Sequence, residues 1–380
     1  MEIDSKLPDV GVTIFAVMTA LSNENNAINL SQGFPDFDVS PELVALVDRH
    51  MRAGHNQYAP MQGILPLREA IADKVKQLYR ATYDPITEMT VTSGATEALF
   101  CAITSVVKPG DEVVMFEPAY DAYVPVVRLS GGIPVFVPLH HPSYHIDWRE
   151  VRRAITARTR LIILNSPHNP TGAVLSAEDI SELIGLVSKT GVLIVSDEVY
   201  EHIIFDDIQH ESMACYPELA ERSFVISSFG KTYHTTGWKV GYCLAPPSLT
   251  REFQKIHQFV NFATSTPVQH AYAEFMRNPG TYSPLAGFYQ AKRDFFLSLI
   301  ESSRFRPIDC RGTYFQLLDY SNITDEPDIA FAKRMTLEHG VAAIPTSVFC
   351  HNGSDQKVLR FCFAKKDETL RAAAEILSRI

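Results

Sequence analysis

The chain has 380 residues, of which 46% are hydrophobic and 21% charged, and its formal net charge is −10 at pH 7. This length and composition allow a large buried core and two domains. A net negative chain offers no basic face, so we expect neither nucleic acid nor an anionic membrane as a partner.

The cysteines and the N-terminus predict where the protein resides. The six cysteines are scattered, with no CxxC pair and no metal-ligand spacing, which favours reduced thiols and predicts no metal site. Residues 1–6 lack the cationic and apolar regions of a signal peptide, and no 18-residue apolar stretch occurs. We therefore expect a soluble, cytoplasmic protein.

Helical and strand patterns alternate along most of the chain. Helical patterns lie at residues 66–80, 96–107, 119–130, 176–190 and 249–276. Short apolar runs predict buried strands at residues 90–92, 113–116, 135–137, 161–164, 191–197, 224–226 and 240–244. This alternation is typical of an α/β fold with a mainly parallel, doubly wound central sheet, which we assign to residues 45–280.

The pattern changes near the start of the last hundred residues. A helix runs from Pro284 to about Ser302, strand patterns lie at 313–318 and 358–363, and helices lie near 328–339 and from Glu368. We predict that residues 281–380 form a smaller α+β domain and that the N-terminal segment, residues 1–44, joins it.

Polar clusters directly follow several predicted strands. A small-residue turn at 93–97 follows the first strand, and residues 117–120 follow the second. The run 165–172 follows the fourth, and Asp197 closes the fifth. Because ligands in open α/β sheets bind beyond the carboxyl ends of the strands, we expect these clusters to share one site.

Two lysines follow the strand at 224–226. A lysine held at the end of a buried strand, as Lys231 is, can lose its proton and anchor an aldehyde cofactor as a Schiff base. Ser228 and Lys239 offer the hydroxyl donor and positive charge that a phosphate needs. Taken alone, this stretch is equally compatible with a surface loop.

In combination, these segments resemble a known family. A pyridoxal 5′-phosphate (PLP) site needs a carboxylate, donors to the ring hydroxyl, an aromatic face and a phosphate cradle. The motifs from residues 29–37 to 360–363 resemble the class I aminotransferases of PLP fold type I, especially the methionine and kynurenine–glutamine aminotransferase branch. The resemblance implies PLP as cofactor, amino acids and 2-oxo acids as substrates, and a homodimer with shared active sites.

The resemblance also implies cofactor contacts. Lys231 would be the Schiff-base lysine and catalytic base, with Lys239 as the rival anchor. Asp197 would keep the ring nitrogen protonated, although a carboxylate in this place can instead cap a helix. The other predicted contacts are Tyr200 and Asn169 at the ring oxygen, Tyr120 on the ring face, and Ala95, Thr96, Ser228 and Lys239 at the phosphate.

Three of these assignments carry further consequences. Tyr120 could be an ordinary core tyrosine rather than the stacking residue. Gly94 would let the backbone approach the phosphate at a helix N-terminus. Tyr58 resembles the tyrosine that reaches the phosphate of the neighbouring subunit, which by itself predicts a dimer.

Substrate contacts follow from the same resemblance. Arg360 lies among apolar residues of a predicted strand, and a half-buried arginine needs an anionic partner. That partner would be the substrate α-carboxylate, supported by Gly33 and Asn169, or else an internal carboxylate. Phe15 would line the side-chain pocket, although its apolar helical stripe is also typical of core packing.

These contacts predict a PLP-dependent aminotransferase with a ping-pong mechanism. It would move the amino group of methionine or aromatic amino acids to a 2-oxo acid, with glutamine and kynurenine as further candidate donors. A cysteine-S-conjugate β-lyase is the alternative, since one carbanion can partition either way. A non-catalytic PLP-binding regulator is the more remote alternative.

Overall fold

The computed structural model describes residues 4–380. Its strands are β1 (Ile28–Asn29), β2 (Met89–Thr92), β3 (Glu112–Glu117), β4 (Ile133–Pro138), β5 (Thr159–Asn165), β6 (Leu193–Asp197), β7 (Ser223–Ser228), β8 (Gly241–Leu244), β9 (Arg306–Pro307), β10 (Phe315–Asp319), β11 (Val341–Ala342), β12 (Ile344–Pro345) and β13 (Val358–Cys362). Its helices are α1 (Ile14–Glu24), α2 (Pro41–Arg52), α3 (Leu65–Tyr79), α4 (Gly94–Val106), α5 (Tyr123–Leu129), α6 (Trp148–Ala154), α7 (Ala177–Val187), α8 (Pro217–Ala220), α9 (Phe229–Thr232), α10 (Pro247–Val260), α11 (Thr266–Phe275), α12 (Leu285–Leu299), α13 (Asp328–Arg334) and α14 (Asp367–Leu377). Over this range, none of the helices is both long and apolar enough to cross a membrane.

Seven strands form the central sheet, in the order β2-β8-β7-β6-β5-β3-β4. The strands from β7 to β4 pair in parallel, whereas β8 is antiparallel to both β7 and β2. The predicted mainly parallel sheet is therefore confirmed. Its parallel strands bring their carboxyl ends to one edge.

Helices cover both faces of this sheet. Along β5, Leu161 and Ile163 belong to one buried apolar cluster, while Ile162 and Leu164 belong to the other. This alternation follows from the two-residue repeat of a strand. Residues of α4 pack in the first cluster and residues of α7 in the second, which gives the predicted doubly wound arrangement.

The ends of the chain build two smaller sheets. β12, β13, β10 and β9 form an antiparallel sheet, and β1 pairs in parallel with β11, where Ile28 lies opposite Val341. This pairing supports the predicted association of the N-terminal segment with the C-terminal region. The division at residues 44 and 280 stays a prediction.

The prediction of a single helix at residues 249–276 is wrong. The chain instead forms α10 and α11, separated by residues 261–265. Phe262 adopts a left-handed backbone with φ of +67°, which a continuing helix does not allow. Pro267 lies in the first turn of α11, the helical position where its missing N–H costs nothing.

Candidate active site

A cavity of about 350 Å³ lies at the carboxyl edge of the central sheet. β5, β6 and β7 end in the lining residues Asn165, Asp197 and Ser228. Ligands of open α/β sheets bind at this edge. The predicted site residues that line the cavity are Phe15, Gly33, Ala95, Thr96, Tyr120, Asn169, Asp197, Tyr200, Ser228, Lys231, Lys239 and Arg360. Tyr58 does not line it and is 86% exposed.

Lys231 lies in the short helix α9, directly after β7. Its Nζ donates to the hydroxyl of Tyr314 at 2.7 Å and to the carbonyl of Gly33 at 3.2 Å. Burial lowers the pKa of Lys231 to about 8. Because an appreciable fraction of the amine is then neutral near physiological pH, Lys231 can act as a nucleophile or a base.

Asp197 is buried at the end of β6. Its Oδ2 accepts a hydrogen bond from the Tyr123 hydroxyl at 2.7 Å, and its Oδ1 accepts one from the Val199 N–H at 3.3 Å. Burial raises the pKa of Asp197 to about 6, and these two donors partly oppose that rise. A turn rather than a helix follows Asp197, so the helix-cap alternative is not met.

Arg360 lies in β13 and is 1% exposed. Its Nη1 donates to Oδ1 of Asn169 at 2.7 Å, and its Nη2 donates to the Ser31 carbonyl at 3.0 Å. Its Nε is buried without a hydrogen-bond partner in residues 4–380, and no carboxylate of that range forms a salt bridge with it. Burial lowers the pKa of Arg360 to about 10, so the side chain stays cationic at neutral pH. A buried cation with a free donor suits an anionic ligand.

Three phenylalanine rings surround this guanidinium group. Its Cζ lies 3.8 Å from the ring centre of Phe315, 5.2 Å from that of Phe15 and 5.4 Å from that of Phe349. Phe15 lies in the first turn of α1, with its ring 5.9 Å from that of Phe349. Phe15 and Phe315 also line the cavity, which therefore offers an apolar surface beside the guanidinium group of Arg360.

Asn165 connects the carboxylate and guanidinium sides of the cavity. Its side-chain amide donates to the backbone carbonyl of Asp197 at 2.8 Å, and its Oδ1 accepts from the Asn169 N–H at 2.8 Å. Asn169 in turn accepts the hydrogen bond from Arg360. Hydrogen bonds to Asp197 in β6 and to Arg360 in β13 therefore hold the run 165–172 in place.

The start of α4 forms another wall of the cavity. α4 begins at Gly94, which has a φ of +75°, and no side chain of residues 4–380 caps its first turn. The amides of Ala95 and Thr96 are therefore available to an anion. The positive φ of Gly94 favours glycine at this position, and Lys239 packs against it, since a Cβ built on Gly94 would lie 3.4 Å from Nζ of Lys239. The hydroxyl of Ser228 does not cap α9 and is also available.

Two tyrosines complete the lining. Tyr120 is half-buried and lines the cavity, which disfavours the core alternative. Burial raises its pKa to about 12, so the hydroxyl stays protonated. Tyr200 is buried, with its ring edge-on to that of Tyr314 at 5.2 Å. Burial also raises the pKa of the Tyr200 hydroxyl, so both phenols stay protonated and can donate hydrogen bonds at neutral pH.

Tyr123, Tyr314 and Asn165 were not singled out by the sequence, yet their side chains form hydrogen bonds with predicted site residues. Tyr123 bonds Asp197, Tyr314 bonds Lys231, and Asn165 bonds both Asp197 and Asn169. Asn165 is the first residue of the polar run 165–172, which the sequence did identify, so its position beside Asn169 in that run could have predicted a place in the site. Nothing in the helical pattern around Tyr123 or the strand pattern around Tyr314 distinguishes these tyrosines from core residues.

Comparison with known proteins decides the family. The family described as "Aminotransferase class I and II" matches residues 25–377. The chain belongs to this family. The predicted family and the predicted fold are thus confirmed, and the protein is an aminotransferase whose cofactor is PLP.

Individual relatives agree with this membership. The methionine aminotransferase of Escherichia coli (strain K12) is 48% identical over 99% of this chain and 98% of its own. A kynurenine–oxoglutarate transaminase of Dictyostelium discoideum is 35% identical over 97% of this chain and 94% of its own. The crystal structure of Escherichia coli YbdL, reported with a methionine aminotransferase function, superposes with a TM-score of 0.98 at 48% identity and covers 100% of both chains.

The cavity of this aminotransferase fits PLP on chemical grounds. The cofactor carries an aldehyde, a pyridine nitrogen, a ring hydroxyl and a phosphate. The cavity offers a buried amine of lowered pKa, a buried carboxylate, two phenols and an uncapped helix start beside a lysine. Each functional group of PLP thus has a suitable counterpart in the described residues.

Proposed function

We propose that this aminotransferase acts on methionine and aromatic amino acids, with glutamine and kynurenine as further donors. One observation carries the proposal: Arg360 is the single arginine that lines the cavity within residues 4–380, and phenylalanine rings surround it. A substrate needs one carboxylate for this guanidinium group and an apolar or aromatic side chain for the rings. The 48% identical methionine aminotransferase supports the same choice.

The catalytic roles follow from the contacts of each residue. When bound, PLP supplies an electrophilic aldehyde and an electron-accepting ring. We propose that Lys231 Nζ holds the cofactor between turnovers and, once released by substrate, takes the proton from the substrate Cα. Asp197 holds a proton on the ring nitrogen through a charge-assisted hydrogen bond. Donor and acceptor would use this site in turn, which is a ping-pong mechanism.

The remaining lining residues are proposed to orient the two ligands. Tyr200 and Asn169 donate to the ring oxygen, and Tyr120 lies on the ring face. Ala95, Thr96, Ser228 and Lys239 bind the phosphate, with Lys239 supplying a point charge rather than the bidentate grip of an arginine. Gly33 supports the substrate carboxylate beside Arg360; a Cβ there would meet the Phe315 ring at 2.6 Å.

A panel of donors and acceptors tests the proposed substrate class. Methionine, phenylalanine, kynurenine, glutamine, alanine, aspartate and glutamate should each be assayed against several 2-oxo acids. We expect methionine and aromatic donors to give the highest kcat/KM. Aspartate or glutamate as the best donor would contradict the single-carboxylate site. An S-substituted cysteine belongs in the same panel, because release of pyruvate would reveal β-lyase activity at this site.

Two substitutions separate the common contact from the selective one. Arg360→Ala should lower kcat/KM for every donor roughly 30-fold, because it removes charge-assisted bonds to the shared carboxylate. This factor corresponds to a loss of about 2 kcal/mol in transition-state stabilisation. Phe15→Ala should impair methionine and phenylalanine more than alanine, by ~1–3 kcal/mol, since only longer side chains reach its ring. Measured kcat/KM for the three donors in both variants checks this. An equal loss of kcat/KM for all three donors in Phe15→Ala would show that Phe15 packs in the core and does not select the substrate side chain.

We also propose that the functional unit is a homodimer with shared active sites. Tyr58, Phe259 and Phe262 are exposed by 86%, 87% and 43%, and the Tyr58 and Phe262 rings meet edge-to-face at 5.7 Å. Large apolar side chains gathered at a surface usually mark an interface. A dimer would bury this patch and bring Tyr58 to the partner's phosphate, away from its own cavity.

Sedimentation should therefore give twice the 42.5 kDa chain mass. Tyr58→Phe, which keeps the ring but not the hydroxyl, should stay dimeric and bind PLP more weakly, because one phosphate donor is lost. Equilibrium dialysis of the cofactor measures that change. A monomer with full activity at assay concentrations would contradict the shared site.

A cytoplasmic location remains our proposal. All six cysteines are free thiols, which fits a reducing compartment. Fractionation of the source cells with an antibody against the chain would test it.

A further inference from the structure

Three histidines lie together outside the active-site cavity, two of them in the packed helices α2 and α11 and the third just after α2. His50 is in the last turn of α2, His55 follows that helix, and His270 is in α11. The ring centroids of His55 and His270 are 4.0 Å apart, and those of His50 and His270 are 5.0 Å apart. One ring nitrogen from each lies within 4.8 Å of the other two.

The contacts of His50 are those of a metal ligand. Its Nε2 is 2.6 Å from Oε1 of Glu274, and Arg49 pairs with the other carboxylate oxygen. Its Nδ1 is buried and has no hydrogen-bond partner in the described part of the chain. When Nε2 donates its proton to Glu274, Nδ1 is left with a free lone pair. A carboxylate behind a histidine in this way fixes the tautomer and strengthens the other nitrogen as a ligand.

A second cluster of possible metal ligands differs from the first in that its histidine nitrogens already have hydrogen-bond partners. Glu97, Cys101 and His257 also lie close together. There, both ring nitrogens of His257 already have partners, Glu97 at 2.5 Å and the Met61 carbonyl at 2.8 Å. That cluster is a satisfied core network with no nitrogen left for a ligand, whereas the one around His50 has a free nitrogen.

We propose that His50, His55 and His270 bind a divalent cation of the borderline class, with Zn²⁺ as the representative and water as the fourth ligand. Imidazole suits such cations, and Zn–N bonds of about 2.0–2.1 Å need the three nitrogens roughly 3.3 Å apart. His55 and His270 are partly exposed, and within residues 4–380 neither ring is held by a hydrogen bond, so both can turn toward the cation. Binding would fasten the end of α2 to α11.

Metal titration of the holoenzyme tests the site. Zn²⁺ binding is measured by equilibrium dialysis, and Co²⁺ is used as a second probe because its visible absorption reports tetrahedral coordination. We expect one cation per chain and a rise in Tm when Zn²⁺ is added, since a ligand that binds only the folded state stabilises it. His55→Ala and His270→Ala should each weaken binding at least tenfold, and Glu274→Gln should weaken it about 10–100-fold.

His140→Ala is the matched control, because His140 is an exposed histidine that pairs with Glu150 at 3.5 Å elsewhere on the surface. This variant should bind like the wild type. Melting curves without metal show that each variant is folded. Absence of saturable binding to the wild type would overturn the proposal. Undiminished binding in the His55→Ala/His270→Ala double variant would also overturn it, because the cofactor or the thiols would then hold the cation.

Discussion

Replacing Lys231 with alanine should abolish turnover and the covalent link to PLP. Lys231 is the buried amine of lowered pKa in the cavity, where its Nζ lies among Tyr314, Gly33 and Tyr200. The variant would lose both the proposed nucleophile and the proposed base, and a positioned base alone contributes roughly 10²–10⁴-fold. Borohydride reduction followed by mass spectrometry of peptides measures the link, and donor turnover measures the rate.

Lys239→Ala separates the two lysines. Lys239 lies against Gly94 at the start of α4, where we propose that its charge binds the phosphate. This variant should still trap the cofactor at residue 231 while binding it less tightly. Cofactor trapped at residue 239 in Lys231→Ala, with normal turnover, would show that the roles of the two lysines are reversed.

Replacing Asp197 with asparagine should leave the fold intact and lower kcat by a factor of a hundred or more. Asparagine keeps the size of the side chain and can still accept from Tyr123, but it cannot hold the ring nitrogen in its protonated form. Loss of a strong charge-assisted bond costs about 3 kcal/mol or more, which is roughly a hundredfold in rate. Single-turnover kinetics at pH 8, above the pKa of about 6 that burial gives Asp197, measure the effect.

Tyr123→Phe is the control for this experiment. It removes the 2.7 Å donor to Asp197 but keeps the carboxylate. Since that donor lowers the pKa of Asp197, its loss should raise the pKa and shift the acid limb of the rate profile upward. The loss of rate at pH 8 should be much smaller than in Asp197→Asn. Near wild-type turnover in Asp197→Asn would rule out the proposed role of the carboxylate.

The strand-end motifs were readable from the sequence because they depend on local order along the chain. A buried strand followed by a polar turn predicts a position at the sheet edge, and Asn169, Asp197 and Lys231 all line the cavity there. The alternation of strands and helices likewise predicted the mainly parallel sheet. The prediction of one long helix at 249–276 was wrong. The helical spacing of apolar residues continues through this segment, but the backbone leaves the helical conformation at Phe262.

Contacts between distant segments were decided only by the tertiary structure. The apolar pattern around Arg360 predicts that it is half-buried, but only the packed chain shows that it is 1% exposed and that its Nε has no hydrogen-bond partner within residues 4–380. Tyr123 and Tyr314 have the same local sequence pattern as core tyrosines. Only the folded structure shows that their hydroxyls form hydrogen bonds with Asp197 and Lys231.

The histidine cluster shows the same limit most clearly. The sequence predicted no metal site, because cysteine spacing carried no signal and His270 is far along the chain from His50 and His55. Packing of α11 against α2 brings the three rings together. Spacing along a chain specifies which face of a helix or strand a residue occupies, whereas the partner facing it depends on how the whole core packs.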